Sequence, residues 1–318
     1  MVKIFKLTTQ TSTSFPIEIN VFERTTRQEA PFYQDNKEMQ KQQFAICPGC
    51  NNPIQIIGLY KHLKNTDNPF GRHSPRPIPG FTYDPIAYDF CPYSTIIPPT
   101  DKSLRRELSP FSCDILKVTI QEFDRVVRIL RADIGFNFSA KFAQKMLRTY
   151  LNEQGYLYPS ATLRNIPWIV GYLSFSKNLV GQYLKTDSPR AASLKTAILE
   201  NISESTITEN GWLTRKSNIS FNLQCFFMDH TIIKNQDGHL RESLKLIFIS
   251  GRDEGPNGII GSEIFVETVN FDHMEFERLT QIRTQNYRDQ KLLDIAQEEY
   301  QIHLHNTPEL KDFINTDD

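Results

Sequence analysis

Between residues 46 and 100 the chain carries Pro69, Pro75, Pro77, Pro79, Pro85, Pro92, Pro98 and Pro99, with glycines interspersed. Proline fixes φ and lacks an amide donor, so such a stretch builds no long regular element and needs another constraint to hold one shape. The same stretch contains Cys47-Pro48-Gly49-Cys50, then Gly71-Arg72-His73, then Cys91-Pro92-Tyr93. A Cys-x2-Cys knuckle presents two thiolates from one tight turn, and zinc takes four tetrahedral ligands drawn from sulfur and imidazole nitrogen. A structural Zn2+ held by Cys47, Cys50, His73 and Cys91 is therefore the expected staple. His62 is the reserve to His73. It falls in an expected helix Ile56–Lys64 whose apolar face (Ile56, Leu59, Tyr60, Leu63) excludes it. Four filled protein positions leave none open for water, which points away from a catalytic metal. The competing reading makes Cys91, like Cys113 and Cys225, an ordinary buried thiol.

Composition narrows the remaining possibilities. In 318 residues, 39% are hydrophobic and 23% charged, the balance of a globular protein able to bury a core. A formal net charge of -1 provides no global field for nucleic acid or an anionic membrane. The longest apolar runs fall short of a membrane span, and no secretory signal is evident. Five cysteines make a poor disulfide framework, so a cytoplasmic location is expected.

Periodicity divides the chain in two: an N-terminal zinc-binding module, 1–110, and an α+β domain, 111–318, ending in a helix. Met1–Lys6 and Ile17–Glu23 alternate like half-buried strands. Leu116, Ile120, Phe123, Val127 and Leu130 form one face of a helix spanning 114–131. Ser139 is placed to cap the next helix, and Ser188-Pro189 to open another. The aromatic run Tyr156, Tyr158, Trp168, Tyr172, Phe175 and Tyr183 reads as core. Alternation over 219–227 and 244–248, around the turn Asn235-Gln236-Asp237-Gly238, predicts a hairpin with Phe227 opposite Leu246 and Cys225 opposite Phe248. A third strand, Glu263–Val269, follows. Asp272 then caps a long polar helix to about His303, whose thin apolar stripe would pack on a partner subunit or across its own sheet.

Three further groups carry candidate chemistry. Uniform hairpin register would place Asp229 beside Leu244 and make it a diagonal neighbour of Glu242, with His230 on the opposite face. Such a carboxylate pair could hold a metal ion or divide acid and base roles in a hydrolase or nuclease. Alternatively, both sit on a solvated hairpin tip. Glu242 and Lys245 are three apart and fall on opposite faces, which weakens a nuclease of the restriction-enzyme type. The loop 251–258 lacks the Gly-Lys-Ser/Thr ending of a phosphate loop and leads into a strand. Finally, Lys102, Arg105, Arg106, Lys117, Arg125 and Arg128 form the most basic stretch, a candidate phosphate-contacting surface or a solvated helix face.

The segments "CPGCNNPIQIIGL", "GRHSPRPIPG", "AYDFCPYS" and "YPSATLRNIPWIVGYLS" resemble those of a group of uncharacterised bacterial proteins with an N-terminal Cys-x2-Cys/His/Cys zinc-binding segment. The resemblance covers about half the chain. It implies a cytoplasmic bacterial setting and a zinc site that includes His73, and it carries no activity. These observations together favour a zinc-containing interaction protein that binds a protein or nucleic acid, in the setting of bacterial defence or mobile elements. The metal-dependent hydrolase using Asp229 and Glu242 is the alternative.

Overall fold

The computed structural model describes residues 1–36, 38–61, 68–174, 177–185, 189–216, 221–235, 239–253, 259–282 and 287–316. Its elements are α+β in class, as expected. At the N-terminus β1 (Ile4–Phe5) pairs with β2 (Phe15–Pro16), and helix α1 (Ile19–Thr26) follows. The strand expected at Ile17–Glu23 is thus mostly helix. Helical spacing brings Phe22 against Phe5, with ring centroids 4.9 Å apart, and this aromatic contact outweighs the local alternation. Strands β3 (Tyr33–Asp35), β4 (Lys41–Ile46), β5 (Pro53–Ile57) and β6 (Phe70–His73) form an antiparallel sheet in that order.

Ile56, expected to start a helix, lies in β5 opposite Gly71 of β6. Gly71 is required there, because a Cβ would lie 2.5 Å from Ile54 Cδ1. Ile57 is also strand and residues 58–61 are bends, so the expected helix does not form there; His62 and the two residues after it lie outside the described residues. A short helix, α2 (Pro85–Asp89), completes this part.

The helical middle begins with α3 (Pro110–Gln121), opened by a reciprocal cap between Ser109 and Ser112 with proline in the first turn. Helix α4 (Phe123–Ile134) continues after a break at Glu122, so the single helix expected over 114–131 is two. Leu116, Ile120, Phe123, Val127 and Leu130 are nevertheless all buried. After β7 (Phe136–Asn137), Ser139 caps α5 (Ala140–Asn152) through the Phe142 amide. A 3-10 turn at Gly155–Leu157 leads to α6 (Ile166–Tyr172), β8 (Lys177–Asn178), β9 (Tyr183–Leu184) and α7 (Pro189–Asn201). Tyr156, Tyr158, Trp168 and Tyr172 are buried; Phe175 and Ser188 lie outside the described residues.

The C-terminal part adds the small pair β10 (Ser205–Ile207) and β11 (Leu213–Arg215), then three long strands: β12 (Asn222–Lys234), β13 (Leu240–Asp253) and β14 (Ile259–Asn270). Their sheet has the order β14-β13-β12-β8. Phe227 pairs with Leu246 and Cys225 with Phe248, the register expected from the sequence. Helix α6 sits close on this sheet because Gly171 has no side chain to strike Phe227, whose ring a Cβ would meet at 2.8 Å.

The long terminal helix expected from Asp272 is instead α8 (His273–Gln281), α9 (Gln290–Asn306) and α10 (Pro308–Thr316). Asp272 does cap α8 through the Glu275 amide at 3.0 Å. Helix α9 buries Leu292 and Ala296 against α3, α4 and α5, so its stripe is covered by its own chain. One apolar cluster runs from Val2 to Leu310 and includes Cys47, Cys50 and Cys91.

Candidate metal centre and the buried polar clusters

The knuckle is the turn between β4 and β5. Its backbone closes through the Cys47 amide to the Asn52 carbonyl (2.8 Å) and the Asn51 amide to the Cys47 carbonyl (3.0 Å). Asn51 sits at φ 58, a left-handed position that asparagine tolerates. The Gly49 amide points at Cys47 Sγ, 3.4 Å away. Gly49 cannot carry a side chain, since a Cβ would lie 2.8 Å from the Tyr93 ring and 3.2 Å from Cys91 Sγ.

The remaining donors are brought in by two different devices. His73 is the last residue of β6 and pairs with Ile54 across the sheet. Cys91 follows α2, and Asn52 ties α2 to the knuckle. The Asn52 side chain accepts from the Asp84 amide (2.8 Å) and donates to the carbonyls of Asp84 (2.9 Å) and Cys50 (3.1 Å). Asp84 in turn caps α2 through the Ala87 amide (2.9 Å) and accepts from the Phe111 amide at the start of α3 (3.1 Å).

Cys47, Cys50, His73 and Cys91 therefore meet, their donor atoms all within 4.8 Å of one another. Cys47 Sγ lies 3.6 Å from Cys91 Sγ, and His73 Nε2 lies 3.5 Å from Cys50 Sγ and 3.4 Å from Cys91 Sγ. With metal–sulfur and metal–nitrogen bonds typical of zinc, a regular tetrahedron has S···S edges of about 3.8 Å and S···N edges of about 3.6 Å. The spacing fits such an ion and is far too long for a disulfide. All three thiols are fully buried.

Burial pushes the Cys50 and Cys91 thiols up. At Cys47 the same burial is outweighed by hydrogen bonds from Cys50 and Cys91 and by the His73 charge, which hold it well below the ordinary value. Burial also works against a charge on His73, but the Cys47 thiolate raises its imidazole to about 11. A divalent cation bound here would take the place of the imidazole proton, because it ligates thiolates and neutral imidazole and releases protons as it binds. Cys113 and Cys225 are separate buried thiols.

The centre is joined to the rest of the fold by Tyr93. Its hydroxyl accepts from Arg164 Nη1 at 2.9 Å, and Arg164 Nε contacts Glu277 at 2.5 Å. Lys234 at the end of β12 donates to the carbonyls of Tyr93 (3.0 Å) and Ser94 (2.9 Å).

Asp229 and Glu242 are not neighbours. The β12/β13 register shifts between Met228 and Thr231, so Glu242 pairs with Ile232, and Asp229 occupies the bulge at φ 52. The Asp229 side chain is half exposed and bonds Lys245 at 2.7 Å, whereas Glu242 is buried on the opposite face. The bulge also turns His230 into the core, the reverse of the face expected for it.

Glu242 accepts from Asn165 (2.8 Å) and lies 3.3 Å from both His230 Nε2 and His273 Nε2. His230 Nδ1 meets the Tyr158 hydroxyl at 2.9 Å. Burial alone would raise the Glu242 carboxyl, but the two imidazoles hold it well below the usual range. Only the Tyr158–Ser174 segment, singled out in the sequence as a unit, hinted that Tyr158 and Asn165 serve one network.

The basic stretch is also redistributed. Arg106 is buried, donates to the carbonyls of Tyr156 and Ala161, and stacks on Phe111. Arg125 is buried and held by Glu122 and the carbonyls of Thr280 and Ile282. Arg105 bonds Glu153 and local carbonyls, and Lys102 lies over the Tyr172 ring at 4.9 Å. Lys117 is half-buried on α3, and of the six only Arg128 is exposed. The six do not form one phosphate-facing surface.

Comparison with models of protein families, with curated proteins and with solved structures finds no match. The resemblance to bacterial zinc-segment proteins therefore gains no support from them, and what the structure shows is the cluster of Cys47, Cys50, His73 and Cys91. Among the described residues, no helix is long and apolar enough to cross a membrane.

Proposed function

We propose that this chain is a zinc protein that acts by presenting a surface to a partner protein, the metal being structural. The carrying observation is the donor set: three buried cysteines and one half-buried histidine, with donor atoms within 4.8 Å of one another and three edges of 3.4–3.6 Å close to those of a zinc tetrahedron. Four protein donors fill a structural zinc and leave no position for a substrate. The surface that the metal holds rigid includes the loop after Cys91, where Ile96 is 75% exposed, with Ile97 and Leu104 also open to solvent. Apolar side chains grouped on one ordered loop are the kind of feature a partner protein covers. The hydrolase alternative loses the carboxylate pair on which it was built.

The test is elemental analysis of the purified protein, joined to partner recovery from the native host. One zinc per chain is expected, absent in Cys91→Ser. A specific partner should be lost both in that variant and in Ile96→Asp, which leaves the zinc in place. A metal-free chain that keeps its N-terminal fold and its partner would overturn the proposal.

A further inference from the structure

The basic run on α4 has a remainder that folding does not use. Arg125, Arg128 and Arg131 recur every three residues along one helix face, and Arg125 is consumed internally. Arg128 and Arg131 line a cavity of about 300 Å³, together with Lys185, Asn137 and Tyr287.

The acids at this cavity are already engaged. Asp124 accepts from Arg288 Nε and Nη2, both at 2.9 Å, and from the Asp289 amide at 3.1 Å. Asp289 caps α9 through the Leu292 amide at 3.3 Å. Glu275, which lies near Arg128, is held by Arg278 in a two-pronged pair at 2.7 and 2.8 Å.

The cations are not so engaged. Arg131 donates through Nε and Nη2 to one carbonyl, that of Phe138, at 3.0 and 2.6 Å, and its guanidinium lies 5.4 Å from the Phe138 ring. It is thereby fixed in orientation, with no carboxylate at ion-pair distance among the described residues. Burial disfavours its charge, and Asp289 offsets that only in part. Arg128 and Lys185 have no hydrogen-bonded or ion-paired side-chain partner among the described residues. Like charges gathered around one cavity repel, and an anion between them relieves that cost.

Guanidinium forks match the paired oxygens of a phosphate. Tyr287 stands at the cavity with 70% of its surface exposed, an aromatic face on which a base can stack. The volume lies at the small end of ligand sites, suited to a mononucleotide or one strand residue. We propose that the α4–α9 cavity binds a phosphate-bearing nucleotide unit, with Arg128, Arg131 and Lys185 on the phosphates and Tyr287 on the base. The proposal stands independently of the metal centre, which contributes none of these residues.

Pyrophosphate, ADP and a short single-stranded oligonucleotide, titrated into the full-length protein by calorimetry at low salt, test it. Saturable binding is expected, weakened at least tenfold in the Arg128→Glu/Lys185→Glu double variant. Neither side chain supports the fold, so thermal unfolding of that variant should match the parent. ADP should bind more tightly than pyrophosphate, and Tyr287→Ala should erase that difference. Binding of ADP assigns the site to a free nucleotide; binding of the oligonucleotide alone assigns it to a strand. No saturable binding of any probe, or equal binding by the double variant, overturns the proposal.

Discussion

The Cys47/Cys50/His73/Cys91 centre and the His230/Glu242/His273 cluster are both largely buried, each with one half-buried histidine, yet they are assembled differently. The first gathers its members from a knuckle, a strand end and the exit of a short helix, across a proline-rich segment that supplies few long elements. The second sits between the long β12–β13 hairpin and helix α8, which follows β14, on a scaffold of long hydrogen-bonded strands. In the first, the chemistry of the ligands organises the backbone. In the second, a shift of the backbone register decides which side chains meet. Metal ligation needs particular residue types, so it leaves a mark in the sequence; a bulge does not.

This contrast predicts unequal responses to loss. If the centre holds the proposed structural zinc, Cys91→Ser or exhaustive chelation removes an interaction whose apparent binding free energy is of order 10 kcal/mol. Hydrogen exchange should then show β4, β5, β6 and α2 losing protection while β12 and β13 keep theirs. Equal loss in the hairpin would break the comparison. It would show that Tyr93 and Arg164 bind the two clusters into one cooperative unit.

What the sequence made legible follows the same division. The four donors were readable because metal ligation demands particular residue types, and the Ser139 cap and the pairing of Phe227 with Leu246 because each depends on residues near in sequence or on simple alternation. The helix at Ile19–Thr26 was not, because the Phe22–Phe5 contact that favours it comes from outside the segment. Nor was the fate of the basic run. Arg106 and Arg125 look like surface charge until the carbonyls that accept from them are in place. The carboxylate pair failed for one reason, the shifted register at Asp229. Simple alternation treats Asp229 as an ordinary strand residue, although aspartate tolerates a left-handed backbone better than most residues.

The next largest effect concerns Glu242. Glu242→Ala leaves Asn165 and His230 without their shared acceptor, and His273 without its neighbouring carboxylate, and should cost about 3–5 kcal/mol in denaturant unfolding. Glu242→Gln separates charge from shape through pH. Because the folded carboxyl lies below its ordinary value of 4.5, its contribution is complete above that pH and declines as pH falls. The stability gap between parent and Glu242→Gln should therefore be widest above pH 5 and shrink in acid. A gap that widened in acid would mean that the histidines do not hold the carboxylate.

The smallest predicted effect bears most directly on how the second cluster arises. Asp229 adopts φ 52, where a β-branched residue is strained, so Asp229→Val should cost about 1–2 kcal/mol. Asp229→Gly should be close to neutral. It relieves the left-handed strain but loses a half-exposed pair with Lys245 worth about 0–1 kcal/mol. Imidazole resonances distinguish two ways of absorbing the valine. If the bulge persists, His230 keeps its bond to Tyr158 and only stability changes. If the strand slips to regular pairing, residue 229 comes opposite Leu244, His230 turns to solvent, and Glu242 keeps only His273 and Asn165. That outcome would make the bulge, rather than the attraction among His230, Glu242 and His273, the cause of the cluster. A persistent bulge at the expected cost would mean that the contacts among His230, Glu242 and Tyr158 hold the register in place.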